Sequence, residues 1–239
     1  MILSRHITTK IIFLFDQLVP PIVRDSKIFM YIPFRLLFGK RYVNMFFEFK
    51  DKAPFMTEEE YNRTYADINR DLIKRKTDLN DECVEEILDN LTGISVLEVG
   101  CGKAYLSNKM GKKGYDVTGV DIYIAEATIE EHKKIKFMKE NIESLSFEDR
   151  SFDTVVCAHT LEHVQDLQKS ISELRRVARK RLIIVVPKQR PYRYTFDPHL
   201  HFFPYLHSFL QVMRPRNRHV CKVVDMDIFY MEDTETTGE

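Results

Sequence analysis

The chain has 239 residues, 44% of them hydrophobic, and its 36 basic residues are matched by 36 acidic ones. That length suits one domain with embellishments better than two full domains. A net charge of zero argues against a protein built mainly to grip nucleic acid.

Cys83, Cys101, Cys157 and Cys221 are scattered without metal-type pairing and read as buried apolar thiols. No run approaches the roughly 18 apolar residues of a membrane span. Residues 1–10 lack the layout of a signal peptide, and Ile11 to Phe15 is too short an apolar core for one. A cytoplasmic location is the expectation.

Residues 1–56 differ from the rest. The first fifty residues hold ten aromatics, and eight basic residues against three acidic ones. Pro20, Pro21 and Pro33 cut the stretch into short helical pieces. The segment reads as a helical cap whose aromatics pack on the main domain. The alternatives are a lid over an apolar substrate and a contact between residues 1–50 and a membrane surface.

Thr57 with Glu60 has the form of a capping box opening a helix through Tyr61, Tyr65 and Ile68. Glu82 to Leu91 spaces Val84, Ile87, Leu88 and Leu91 at a helical period. Ser95 to Val99 is a short apolar run that reads as a buried parallel strand. It turns through Gly100 and Gly102 and restarts as a helix near Tyr105, an arrangement that lets a ligand approach the backbone. Tyr105 is too bulky for the last glycine of a dinucleotide fingerprint, and no P-loop Gly-Lys-Ser/Thr follows. Asp121 ends the next strand-like run, where a carboxylate can accept hydrogen bonds from a ribose diol. A ribose site without a pyrophosphate site points to an adenosine lacking phosphates.

This stretch resembles the class I S-adenosylmethionine-dependent methyltransferases. Their acid-x-Gly-x-Gly-x-Gly pattern is matched by Glu98, Gly100 and Gly102, with Ala104 in the third glycine position. The likeness is good over residues 80–190. It implies an α/β fold: a doubly wound, mostly parallel Rossmann-like sheet of six to seven strands, with helices on both faces and the N-terminal helical cap. The methyltransferase domain would span 57–231, with an insert at 188–217 and an acidic tail at 232–239. The resemblance also implies S-adenosyl-L-methionine as cofactor. Its contacts would be Glu98, Gly100, Cys101, Gly102, Asp121, Ile122, Asn141, Ile142 and Ala158. Asn141 matches the position that meets the adenine amine, often Asp in the family, and Ile142 the one whose backbone meets the ring.

Further along, a helix around 125–132 and strands at 135–138 and 151–158 are expected. A helix from Gln165 to Val177 and a buried strand from Arg181 to Pro187 follow. His159-Thr160-Leu161-Glu162-His163 follows the fourth strand, where open α/β sheets bind ligands. The i, i+4 spacing lets His159 and His163 converge. The resemblance puts such a histidine at the substrate mouth, so both are candidate catalytic residues, with His163 the better base. A structural role and a metal site are the alternatives. Ubiquinone-type and small-RNA 3′-end methyltransferases carry Glu-x-x-Glu-His there, and His159 stands where their first glutamate would be. His199 or His201 would then be the later ligand. The preferred reading has no metal.

Arg190, Arg193, Arg214, Arg216 and Arg218 read as a solvated face or an anion-holding one. Tyr205 to Met213 reads as a helix. His219 to Tyr230 is one strand-like run without a clear turn, which leaves a seventh strand open. The expected function is methylation of a small-molecule acceptor, most simply a hydroxyl on a sugar, glycan precursor or apolar metabolite. The alternatives are an RNA methyltransferase and a non-catalytic cofactor-binding subunit. The oligomeric state is not legible.

Overall fold

The structure is a computed structural model and describes residues 15, 18–72 and 76–234. The readings of residues 1–14, the start of the cap segment, and of 235–239, most of the acidic tail, lie outside the described residues. The chain divides into two compact units, Met1–Arg75 with Arg190–Phe202, and Lys76–Gln189 with Phe203–Glu239. Part of the expected insert thus belongs with the N-terminal helices, a division that cuts across the sequence boundaries.

The first unit contains α1 (Pro21–Arg24), α2 (Lys27–Lys52) and α3 (Glu58–Leu72). Helix α2 is kinked at Gly39, whose φ of 71° is one that L side chains rarely adopt. Thr57 Oγ1 accepts the Glu60 amide at 3.3 Å and Glu60 Oε2 accepts the Thr57 amide at 3.0 Å, so the capping box that opens α3 is formed.

The aromatics pack on one another. Phe34, Phe46, Phe47 and Tyr194 form a buried cluster with Met30 and Val43. Phe47 and Tyr194 meet edge-to-face with centroids 4.9 Å apart, a favoured aromatic geometry. The fully buried Arg24 lies over the rings of Phe15, Tyr192 and Phe196, 4.9–5.2 Å from their centroids, and donates to the Tyr194 carbonyl. Lys50 Nζ donates to the Tyr192 carbonyl at 2.8 Å, and Asp25 accepts the Arg193 amide at 2.6 Å. Segment 190–202 is thereby tied to the helices.

The second unit holds a seven-stranded sheet. Its strands are β1 (Ser95–Val99), β2 (Asp116–Asp121), β3 (Lys136–Lys139), β4 (Phe152–Ala158), β5 (Ala178–Pro187), β6 (His219–Val224) and β7 (Asp227–Asp233). The order is β3-β2-β1-β4-β5-β7-β6, with β7 antiparallel to both neighbours and the rest parallel.

Side chains alternate across the strands. On one face Val96, Val117, Val156, Ile183 and Val185 meet Cys83, Val84 and Ile87 of α4 (Asp81–Asp89) and Leu106 and Met110 of α5 (Tyr105–Lys112). On the other, Leu97, Val155, Cys157, Leu182 and Ile184 meet Ile171, Leu174 and Val177 of α7 (Leu167–Val177) and Phe209 and Met213 of α8 (Leu206–Met213). Covered faces explain why the strands read as near-continuous apolar runs. A short α6 (Glu126–Glu131) links β2 to β3.

The run from His219 is a hairpin after all, and the seventh strand exists. Its turn is Asp225-Met226, with Asp225 at φ 53°. Asp tolerates this left-handed conformation, but without a following glycine it gives little sequence signal. Glu232 and Asp233, expected in the acidic tail, are in β7. Glu232 is buried, and its Oε2 accepts from both Arg175 Nε and Nη2, at 2.9 and 2.7 Å. The five arginines at 190, 193, 214, 216 and 218 are exposed.

Candidate functional site

Strand order reverses between β1 and β4, the crevice where ligands bind in open α/β sheets. The loop from β1 to α5 opens there. The Gly100 and Cys101 amides donate to the Val120 carbonyl at 2.8 and 3.0 Å, which locks the loop to the end of β2. Gly100 has φ 80°, and a Cβ there would stand 1.9 Å from Thr160 Oγ1. Gly102 has φ 51°, and a Cβ there would meet nothing within 4 Å, so the loop faces open space at that point. Ala104 takes φ 57° at the start of α5, a conformation that costs any L residue, and it is fully buried, which leaves room for only a small side chain.

Asp121 closes the other side. Its Oδ2 accepts the Gly102 amide at 2.9 Å and its Oδ1 the Tyr123 amide at 3.1 Å. A carboxylate has roughly four lone-pair sites, and these two contacts do not fill them. Burial raises its pKa, and the amides of Tyr123, Gly102 and Ile122 work against that rise. Ile122 is half-buried beside it.

Glu98 lies beneath the loop rather than on it. It is buried and accepts a hydrogen bond from Ser107 Oγ. Burial raises its pKa to about 8, against the lowering effect of Ser107, so near pH 7 the carboxyl is mostly protonated. Burial likewise pushes the Cys101 and Cys157 thiols up, which leaves both inert. Asn141 turns the next loop, with Oδ1 accepting the Glu143 amide at 2.9 Å. Ile142 is buried. Glu143 Oε1 then accepts the Gln165 and Asp166 amides at 3.0 and 2.9 Å, which ties that loop to the start of α7.

Past Ala158, the half-buried end of β4, His159 turns the chain at φ 50° and a short 3₁₀ turn spans Leu161–His163. Both histidines converge on one carboxylate. Glu162 Oε1 lies 3.4 Å from His159 Nδ1 and 3.9 Å from His163 Nε2. On its far side His159 Nε2 lies 3.3 Å from Asp227 Oδ2, which accepts Asn80 Nδ2 at 2.9 Å. Burial alone would lower the His159 pKa, but Asp227 and then Glu162 outweigh it and push it up to about 10. His159 is therefore protonated at neutral pH and has no lone pair with which to take a proton. His163 is half-buried.

Sequence reading missed three members of this arrangement. Ser107 holds Glu98, Thr160 stands against Gly100, and Asp227 faces His159. Asp227 is 68 residues beyond His159, and only the sheet brings the two together. His199 and His201 lie in the segment that groups with the N-terminal helices.

A glycine turn, a carboxylate ending the second strand and an asparagine loop at one crevice match the family pattern, and the sequence comparison agrees. The model of a family described as "Methyltransferase domain" matches residues 97–186. Residues 97–186 are a class I S-adenosylmethionine-dependent methyltransferase domain.

Similar curated proteins include ubiquinone biosynthesis O-methyltransferases. A ubiquinone biosynthesis O-methyltransferase from Rickettsia bellii is 28% identical over 112 residues, covering 44% of this chain and 46% of that protein. The one from Bordetella avium is 36% identical over 92 residues, covering 36% and 38%. The matched stretch spans less than half the length of these curated relatives.

The methyltransferase domain's fold recurs in solved structures. The PH0226 protein from Pyrococcus horikoshii aligns with a TM-score of 0.55 and 19% identity, over 74% of this chain and 99% of that one. Magnesium protoporphyrin IX methyltransferase from Synechocystis, solved with SAH bound, aligns with a TM-score of 0.50 and 18% identity, over 72% and 99%.

Proposed function

We propose that the chain transfers a methyl group from S-adenosylmethionine to a hydroxyl of a small molecule. In this reading the glycine loop and Gly102 take the methionine end, Asp121 the ribose diol, and Asn141 with Ile142 the adenine. The open space beside Gly102 and the unused lone pairs of Asp121 support that fit. When bound, the cofactor supplies an electrophilic methyl on a sulfonium. The protein's share is to hold the acceptor oxygen in line and to remove its proton.

The observation that carries the proposal is the turn after β4. Thr160, three residues before His163, stands against Gly100 of the cofactor loop. His163 takes the hydroxyl proton, and Glu162 steadies the imidazolium that forms. His159, pinned by Asp227, is a positioning residue that holds Glu162 in place. The O-methyltransferase names among the relatives support oxygen as the accepting atom.

The test incubates the protein and methyl-labelled cofactor with fractionated cell extract. Label is expected in a low-molecular-weight fraction, as a methyl ether. Label in RNA would move the acceptor class. Calorimetry that shows no affinity for S-adenosylhomocysteine, with NAD bound instead, would sink the proposal.

A further inference from the structure

Helix α2 is apolar on two faces. Met30, Phe34, Val43, Phe46 and Phe47 fill the core of the helical unit. Ile28, Ile32 and Leu36, spaced by four on one face, stay 87%, 64% and 80% exposed. Leu37 on α2 and Ile22 on α1 are also exposed. A helix apolar all round is normally covered, and an exposed apolar patch marks an interaction surface.

The charges name what covers it. From Ser26 to Phe47 there is no Asp or Glu, while Lys27, Arg35, Lys40 and Arg41 fall within that stretch. Arg35 shares the face of Ile28, Ile32 and Leu36 by spacing, and Arg35 and Lys40 are exposed. A second copy of the chain laid on this face would set basic residues against basic ones, a costly juxtaposition. An anionic surface would not. Before the Gly39 kink the helix is roughly 18 Å long, too short to cross a bilayer and suited to lying in its plane.

We propose that the exposed face of α2 docks on the headgroup layer of a bilayer containing anionic phospholipid. Ile28, Ile32 and Leu36 enter the acyl boundary and Arg35 and Lys40 pair with phosphates. The inference does not depend on methyl transfer.

Flotation of the full chain with vesicles tests it. Recovery is expected with phosphatidylcholine vesicles containing phosphatidylglycerol, little with phosphatidylcholine alone, and less as salt rises. R35Q/K40Q should weaken partitioning about fivefold per charge, and I32S/L36S by about tenfold or more. Equal recovery of I32S/L36S and the unchanged protein overturns the proposal, as does equal, salt-independent recovery with both vesicles. Two further outcomes overturn it in lipid-free buffer. A melting temperature lowered by I32S/L36S would show that the chain itself covers the face. A dimer seen by light scattering and dissolved by I32S/L36S would show that a second copy does.

Discussion

Asp121 spends two lone-pair sites on its own loop, so removing it costs both loop order and the diol contact. Asp121→Ala is expected to weaken S-adenosylhomocysteine binding by roughly 1.5–3 kcal/mol, the scale of hydrogen bonds to a charged group. Titration calorimetry reads this directly, and unchanged affinity would remove Asp121 from the cofactor site. His163→Ala should cut turnover by about 10²–10⁴ while cofactor affinity barely changes. A lower melting temperature with full activity per folded molecule would make His163 structural instead.

His159 predicts a pH effect of definite sign. Its folded pKa is about 10 and its unfolded value near 6.5, so between these the folded chain holds a proton that the unfolded chain has lost. That contribution is fully present below pH 6.5 and is lost as pH rises towards 10. Glu98, at about 8 when folded and 4.5 when free, acts in the same sense at lower pH. Denaturant midpoints measured between pH 7 and 9 should therefore fall, and His159→Gln should flatten that slope. An unchanged slope would mean that His159 is not held as a cation.

At the scale of elements, sequence was most informative where one local interaction decides the outcome. The Thr57–Glu60 capping box and the β1–glycine–α5 turn were readable because their determinants lie within a few residues of one another. The hairpin at Asp225 was obscure because its turn has no glycine at the left-handed position. The Asp227–His159–Glu162 chain was obscure because strand pairing assembles it from distant positions. Asp153 is another such hub. It is the second residue of β4, accepts the Ile94 amide at 2.9 Å, and pairs with Arg179 at 2.6 Å and Lys180 at 3.0 Å. Asp153→Ala leaves the Ile94 and Ser95 amides without this acceptor. A loss of roughly 1–3 kcal/mol in chemical denaturation is expected. A change near zero would show that water replaces the carboxylate at no cost.

For the whole molecule, the division into two compact units separates cofactor handling from whatever the aromatic helices do. Every residue assigned to the cofactor, from Glu98 to Ala158, lies in the α/β unit. The aromatic cluster instead joins residues 1–75 to the 190–202 segment through Arg24, Phe47, Lys50, Tyr192 and Tyr194. Deleting residues 1–56 removes partners of that segment and no residue of the sheet. Calorimetry on the truncated chain is expected to find S-adenosylhomocysteine affinity nearly unchanged, with methyl transfer to the labelled acceptor sharply reduced. Lost affinity would mean that the α/β unit does not fold without the helices. Full turnover would strip the aromatic helices of any share in handling the acceptor and leave surface attachment as their role. The two measurements together, cofactor affinity and turnover on one truncated protein, assign the helices to one of these parts.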